Sequence, residues 1–204
     1  MDVNRQVTAF DGPRCIATGN PGEVARTARL VLDRNPTASI LVFDTVSSET
    51  IEIDFRGSAN EVMARIDQSQ TSAIEPTPLS NESRPRARGR PRLGVVAREV
   101  TLLPRHWEWL SHQPGGASIA IRKLVEEARR LHAPGDRLRQ ARESTYRFIS
   151  VMAGDQPGFE EATRALFAGN HQRFNELIAA WPSDVAQHAR RLAMACRDEE
   201  PTAS

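Results

Sequence analysis

The sequence has few of the residues that build disulfide frameworks, zinc sites and lysine-rich tails. Its 204 residues include two cysteines, Cys15 and Cys196, and a single lysine, Lys123. Two cysteines so far apart match neither a disulfide framework nor the close pairs of zinc sites, so a reducing cytoplasm is expected. The 27 basic and 26 acidic residues almost cancel, which excludes a uniformly basic histone-like protein and a polyacidic tail protein.

Long apolar runs are also missing. No stretch of about 18 apolar residues occurs, and the start MDVNRQVTAF lacks the basic and apolar regions of a signal peptide. The sequence therefore predicts a cytoplasmic protein with no membrane partner. With 39% hydrophobic residues, the chain is long enough for two or three small domains, and we expect an α+β fold class.

Residues 1–66 have the pattern of a small α+β domain. Short β-like runs, turn residues and apolar positions at helical spacing alternate along this segment. The pattern predicts a hairpin, a helix, two strands and a last short helix. The predicted strands are 6–10, 14–17, 39–43 and 50–55, and the predicted helices begin at Pro21 and Ser58.

Residues 67–94 are rich in Ser, Thr, Pro, Asn and Arg, which predicts a disordered linker. Its basic half resembles an AT-hook, an element that binds the minor groove of DNA. Glycine lets such a backbone lie on the groove floor, proline keeps it extended, and the guanidinium groups enter the narrow groove of A·T-rich DNA. A plain solubilising linker is the alternative. The candidate DNA-binding residues of this arm are Arg86, Arg88, Gly89, Arg90, Pro91 and Arg92.

Residues 95–133 have a strand–helix–helix pattern. The apolar run 95–103 predicts a strand, Pro104 begins a helix, and Ser118 is the expected N-cap of a second amphipathic helix. From Arg98 the segment reads REVTLLPRHWEWLSHQPGGASIAIRKLVEEARR, which resembles the ribbon-helix-helix family of DNA-binding proteins.

This resemblance implies a homodimer whose paired strands enter the major groove, while the start of the second helix holds a phosphate. A plain helical hairpin, serving as a core or a dimer surface, is the alternative. The implied phosphate-binding residues are Gly116, Ala117 and Ser118, and the implied dimer core is Trp107, Leu110, Ile121, Leu124 and Val125.

Two registers of the ribbon strand are open. The register usual in the family turns Arg98, Val100 and Leu102 outward and buries Glu99 and Thr101. The opposite register buries Val100 and Leu102 and presents Arg98 or Glu99 with Thr101, and we prefer it because it buries apolar side chains. In either register the exposed strand residues include few of the Arg, Lys, Gln and Asn side chains that recognise bases. We therefore expect modest sequence specificity.

The distribution of charge favours a nucleic-acid partner. Between Arg84 and Arg105 there are seven arginines and one acid, Glu99, which gives a local net charge of +6. A basic arm beside a major-groove module is also the arrangement of homeodomains. We therefore expect a homodimeric DNA-binding protein, a transcriptional regulator that prefers A·T-rich double-stranded DNA.

Residues 134–197 predict a bundle of four short amphipathic helices, separated from the preceding helix by Pro134 and Gly135. Such a bundle offers a surface for a protein partner. A non-enzymatic adaptor or an antitoxin-like partner protein is therefore the alternative function.

The sequence contains no recognisable pattern of catalytic or metal-binding residues. The five histidines have no partner at i+4 and no neighbouring cysteine, and no nucleophile can be placed beside a base. We expect no enzymatic activity, no cofactor and no metal.

Over its whole length the chain also resembles an uncharacterised bacterial family of the domain-of-unknown-function type. The segments that carry this resemblance are GRPRLGVVAREVTLLPRHWEWL, PGGAS and GFEEATRALFAG. It implies one continuous architecture and no particular chemistry.

Overall fold

The chain is divided into two units in the computed structural model, which describes residues 5–72 and 98–195. The larger unit combines Met1–Pro76 with Pro134–Ser204, and the smaller unit is Thr77–Ala133. The described residues contain one three-stranded sheet and seven α-helices. The predicted α+β class is therefore confirmed.

The sheet of the larger unit begins with a hairpin. Strands β1 (Val7–Asp11) and β2 (Arg14–Gly19) are joined through Gly12, whose φ of +52° lies in the left-handed region that glycine adopts without strain. Strand β3 (Ile40–Asp44) pairs antiparallel with the other side of β1, which gives the order β2-β1-β3. Strand β1 is therefore central, and its first four residues are buried.

Two helices of this unit begin at side-chain caps. In α1 (Pro21–Arg34), the Gly22 N–H donates to Asn20 Oδ1 at 2.8 Å, one residue before the helix starts. In α2 (Ala59–Ser72), the Ser58 N–H donates to Glu61 Oε2 at 2.7 Å and the Glu61 N–H donates to Ser58 Oγ at 3.4 Å, which is a capping box. Both helix starts agree with the sequence prediction.

The C-terminal part of the chain is helical. Breaks near Gly154–Gly158, Gly169–Asn170 and Pro182 separate the last helices, as the turn residues there predict. The helices are α4 (Gly116–Met152), α5 (Phe159–Phe167), α6 (His171–Leu177) with a 3-10 turn (Ile178–Ala180), and α7 (Ser183–Met194).

The two faces of the sheet pack against different helices. On one face Val7, Ala9 and Val42 form a core with Val24 of α1. On the other face Phe10 and Phe43 join a larger core built by the C-terminal helices. The strand alternation of β1 explains this arrangement, because residues 7 and 9 point to one side of the sheet and residues 8 and 10 to the other.

Residues 1–66 and 134–197, which the sequence pattern presented as two domains, thus contribute to a shared core. The ring of Phe148 from α4 lies 5.4 Å from that of Phe10 and 5.3 Å from that of Phe43. At the edge of the sheet, the Cys15 N–H donates to Asp184 Oδ2 of α7 at 2.9 Å. These contacts join residues more than 100 positions apart, which local sequence patterns do not reveal.

Three local predictions for the larger unit are wrong. Residues 51–55 form no strand, since only an isolated bridge joins Thr50 to Phe43. Ile51, Ile53 and Phe55 alternate because they pack against the core beside α1, not because the segment belongs to the sheet. The linker predicted at 67–94 begins too early, because α2 continues to Ser72.

The third wrong prediction is the helix break at Pro134 and Gly135, because α4 runs through both residues. Proline removes one backbone donor, but its fixed φ of about −65° is a helical value. The neighbouring residues are mostly good helix formers, such as Leu, Ala and Arg. One lost hydrogen bond therefore does not end the helix.

The smaller unit contains α3 (Pro104–Ser111) and the first part of α4. Helix α3 starts at Pro104 as predicted, with Leu103 in an extended conformation before it. The described part of the predicted ribbon strand, residues 98–103, is not paired as a strand. A strand that pairs only with a second chain has no partner within one chain, so the ribbon stays a prediction.

Candidate functional site

The predicted DNA-binding residues fall into two groups. Arg86, Arg88, Gly89, Arg90, Pro91 and Arg92 lie outside the residues that the structure describes. The other six, Arg98, Glu99, Thr101, Gly116, Ala117 and Ser118, all belong to the smaller unit.

The segment before α3 exposes its polar side chains. Arg98, Glu99 and Thr101 are exposed, whereas Leu102 is partly buried and lines a groove between α3 and α4. Val100 is 59% exposed. Leu102 thus faces the helices and Thr101 faces solvent, as the preferred register expects, whereas the exposure of Val100 disagrees with that register. The register stays a prediction.

The start of α4 differs from the prediction by three residues, because an N-cap at Ser118 would place the first helical residue at 119. The helix begins at Gly116, so Ser118 lies inside its first turn and is not the N-cap. Gly115 and Gly116 have φ values of +85° and +76°, and this left-handed pair turns the chain into the helix. Arg122 donates from Nε to the Ser118 carbonyl oxygen and from Nη2 to Ser118 Oγ, both at 3.1 Å.

This helix start has the electrostatic character of an anion site. The N–H groups of a first helical turn have no intrahelical acceptor, and the positive end of the helix dipole lies there. The Gly116 N–H is already bonded to the Gln113 carbonyl at 2.9 Å, which leaves the first-turn N–H groups of Ala117 and Ser118 as the donors for an anion. The nearby Arg122 guanidinium adds a full positive charge.

The cations of the smaller unit lie at its surface. Every arginine and lysine within residues 98–133 is exposed. These cations are Arg98, Arg105, Arg122, Lys123, Arg129 and Arg130. Within residues 98–133, Arg129 is the one cation that forms an ion pair with an acid, with its Nη1 at 3.0 Å from Glu126 Oε2.

An apolar groove separates α3 from α4 in the smaller unit. It has a volume of about 330 Å³. Its lining consists of one histidine and six apolar residues, namely His106, Leu102, Trp109, Leu110, Ile121, Leu124 and Val125. This lining includes four of the five residues that the sequence assigned to a dimer core.

Residues 6–193 match the protein family described as "Uncharacterized protein conserved in bacteria (DUF2239)". The chain belongs to this family. The match spans most of both units and confirms the resemblance to an uncharacterised bacterial family. No curated protein and no solved structure gives a significant match.

The larger unit of this DUF2239 protein contains a buried histidine that the sequence did not distinguish from the other four. His188 of α7 is 3% exposed, and its ring lies 4.4 Å from the Phe148 ring and 5.5 Å from the Phe10 ring. Burial and the nearby Arg191 lower the pKa of His188 to about 4. The ring is therefore neutral near pH 7 and acts as a core side chain.

A carboxylate of the larger unit organises the loop after β3. Asp44 accepts hydrogen bonds from the N–H groups of Val46 and Ser47 and from Arg5 Nε, at 2.8 to 3.0 Å. Partial burial opposes its ionisation, but these donors outweigh burial and lower the pKa of Asp44. These three bonds hold the turn after β3 and connect it to Arg5.

Within residues 5–72 and 98–195, no three His, Cys, Asp or Glu side chains approach closely enough to hold a metal ion. None of the helices described is both long and apolar enough to cross a bilayer.

Proposed function

We propose that this DUF2239 protein binds DNA and acts as a transcriptional regulator without enzymatic activity. The observation that carries the proposal is the exposure of all six cations within residues 98–133, directly after the Arg-rich segment. Exposed cations attract the phosphate backbone and release counterions when they bind it.

Two kinds of contact follow from the geometry of the smaller unit. The first turn of α4 and Arg122 hold a phosphate oxygen through the N–H groups of Ala117 and Ser118 and through the guanidinium. The exposed residues Arg98, Glu99 and Thr101 face the base edges. Because Glu99 repels phosphate and Thr101 forms one weak contact, sequence discrimination is modest and backbone contacts supply most of the affinity.

The Arg-rich arm supplies the minor-groove part of the proposal. Its support is the sequence Arg88-Gly89-Arg90-Pro91-Arg92 and the narrow, strongly negative minor groove of A·T-rich DNA. A cation inserted there gains more from an A·T-rich than from a G·C-rich duplex. The proposal therefore assigns affinity for DNA to both the arm and residues 98–133, and the preference for A·T-rich DNA to the arm alone.

The proposal is tested by fluorescence anisotropy of the full chain on an A·T-rich and a G·C-rich duplex across a salt series. With about five phosphates neutralised, log K falls against log salt with a slope of about −4 to −5. The triple variant Arg88→Ala, Arg90→Ala, Arg92→Ala flattens the slope by about 2 to 3 and removes the A·T preference.

A matched control removes three exposed arginines from the larger unit, by Arg139→Ala, Arg164→Ala and Arg173→Ala. These side chains form surface ion pairs, which contribute little to stability. The control has the same net charge change and keeps the wild-type slope. If both triple variants change the slope equally, the arm has no specific role in binding. If the wild type shows no salt-dependent binding to either duplex, the whole proposal is refuted.

A non-enzymatic adaptor or antitoxin-like protein is the second candidate function. The observation that favours it is the apolar groove between α3 and α4, because exposed apolar surface marks protein contacts. An adaptor shows no DNA affinity above that of an unrelated peptide of equal charge, so the same anisotropy series separates the two candidates.

A further inference from the structure

Helix α3 carries two exposed indoles, and one of them lines the apolar groove. Trp107 and Trp109 are 43% and 51% exposed. Trp109 belongs to the lining of the groove between α3 and α4, whereas Trp107 does not. Residues two positions apart on a helix point about 200° apart, so the two indoles lie on different sides of α3. Trp109 therefore gives the groove a flat aromatic side chain that is in contact with solvent.

The size and lining of the groove suit one small flat ring system. Its volume of about 330 Å³ lies at the lower end of the range of small-molecule pockets, which is about 300–1,000 Å³. Leu124 and Val125 of the lining are 47% and 51% exposed, so the groove is open to solvent. Its polar side-chain groups are the ring nitrogens of His106 and the indole N–H of Trp109. Such a lining covers the face of an apolar ring and forms few hydrogen bonds to its edge.

The charges around the groove favour an anionic ligand. None of the seven lining residues carries a carboxylate. Arg105 directly precedes His106 of the lining and Lys123 directly precedes Leu124, and both cationic side chains are exposed. Within residues 98–133, six cations accompany four carboxylates. A ligand that joins a flat apolar ring to a negative charge is therefore complementary both to the lining and to its surroundings.

We infer that the α3–α4 groove binds an unpaired base of single-stranded DNA, which stacks on the indole of Trp109. A single strand joins a flat base to a negative phosphate in every nucleotide, so it offers both features that the groove and its surroundings select. Aromatic side chains beside a positively charged surface are the usual means by which proteins bind single strands. The bases of an intact duplex stack on each other, so their faces are not accessible to the groove.

The inference rests on the proposed function for its nucleic-acid partner and adds a second form of DNA to it. The Arg-rich arm is proposed to enter the minor groove of a duplex, whereas the groove takes a base from a single strand. Little preference among the four bases is expected, because every base has a flat face that stacks on an indole. Single-strand binding by the groove is therefore sequence-tolerant.

The test compares two labelled strands of about 12 nucleotides by fluorescence anisotropy of the full chain at one salt concentration. One strand is oligo-dT, and the other is an abasic strand that keeps the sugars and phosphates but lacks the bases. The wild type binds oligo-dT at least tenfold more tightly than the abasic strand, since stacking of a base on an aromatic ring has about this effect. Equal affinities overturn the inference, because attraction to phosphate alone then explains the binding. No binding of either strand also overturns it and points to a protein in the groove.

Two matched variants locate the stacking side chain. Trp109→Leu keeps an apolar side chain but removes the flat ring, so it lowers the affinity for oligo-dT about tenfold and leaves the affinity for the abasic strand unchanged. The control is Trp107→Leu, because this indole is similarly exposed on the same helix but does not line the groove. It changes the affinity for oligo-dT less than twofold. Equal losses in the two variants contradict the inference.

Milder variants decide the question if Trp109→Leu loses helix content by circular dichroism. A base that stacks on an indole quenches its fluorescence, so oligo-dT quenches the tryptophan emission of the wild type and the abasic strand does not. Trp107→Phe keeps this quenching. Trp109→Phe removes it but binds oligo-dT within threefold of the wild type, because a flat ring remains. Quenching that persists in Trp109→Phe and disappears in Trp107→Phe overturns the assignment to the groove.

Failure of the inference and failure of the proposed function are separable. A wild type that binds the duplexes with a steep salt dependence, but binds oligo-dT and the abasic strand equally, refutes the inference and keeps the proposed function. A wild type whose binding of oligo-dT depends on Trp109, but that shows no affinity for either duplex, refutes the proposed function and keeps the inference.

Discussion

The two units differ in how they use their aromatic residues. In the larger unit Phe10, Phe43 and Phe148 are completely buried, and their ring centroids lie 5.3 to 6.1 Å apart. In the smaller unit Trp107 and Trp109 are 43% and 51% exposed. Buried ring pairs stabilise a fold from within, whereas exposed indoles are typical of binding surfaces. The comparison indicates a larger unit with a closed aromatic core and a smaller unit that exposes its two indoles.

The largest effect on the free energy of unfolding is expected at the centre of the core of the larger unit. Phe148→Ala removes a ring that meets Phe10, Phe43 and His188 and leaves a cavity, so it lowers the free energy of unfolding by about 3–5 kcal/mol. Urea denaturation followed by circular dichroism measures the change. Phe167→Ala, at a phenylalanine that is 46% exposed, is the matched control and costs less than about 1.5 kcal/mol. Equal costs contradict the position of the core.

The next effect is a pH dependence of the free energy of unfolding, which His188 causes in the larger unit. The pKa of His188 is about 4 in the folded chain and 6.5 as its ordinary value. Below pH 6.5 the unfolded state binds the extra proton, so the stabilisation is complete above pH 6.5 and is lost as the pH falls towards 4. We expect a loss of roughly 2–3 kcal/mol over this range.

His188→Gln removes the titrating ring and flattens this part of the stability profile, although its absolute stability is lower. His112→Gln is the control, because His112 is exposed on the smaller unit. Urea denaturation at half-unit pH steps measures both variants. If His188→Gln and the wild type have the same slope between pH 4 and 6.5, another group causes the dependence.

A smaller effect is expected at Leu110, the one large side chain that is buried within residues 98–133. Leu110 is 4% exposed, but its neighbours in the groove are half exposed, so Leu110→Ala costs about 1–2 kcal/mol, less than in a closed core. The homodimer that the ribbon-helix-helix resemblance implies would make the unfolding midpoint rise with protein concentration. Fluorescence of Trp107 and Trp109 in a Trp181→Phe background measures the midpoint. A midpoint that is independent of concentration weakens the contrast between the units.

How much the sequence predicts depends on the range of the interaction. The hairpin at Gly12, the start of α1 at Pro21 and the helix start next to Ser58 depend on residues a few positions apart, and all three are predicted correctly. The shared core of Phe10 and Phe148 depends on tertiary packing across the chain, which periodicity does not encode. The class of each element is therefore easier to predict than its partner.

The errors of local prediction have the same cause. Alternating Ile51, Ile53 and Phe55 look like a strand, since half-burial gives the same period whether an extended segment pairs or only packs. At the candidate site, the sequence identified most of the groove lining through helical spacing, but it could not show that Trp109 lines the groove. That position depends on how α3 packs on α4, which the pattern of α3 alone does not determine.

The smallest expected effect compares a real cap in the larger unit with an expected one in the smaller unit. Asn20 accepts the Gly22 N–H at the start of α1, so Asn20→Ala leaves this donor without its partner and costs about 1 kcal/mol. Ser118 lies within the first turn of α4 and bonds Arg122 at the surface, so Ser118→Ala changes stability by less than about 0.5 kcal/mol. Denaturation of the two single variants measures both values. A cost at Ser118 as large as that at Asn20 means that Ser118 caps α4, as the sequence alone predicts, and that Gly116 and Ala117 then precede the helix whose first turn is proposed to hold the phosphate.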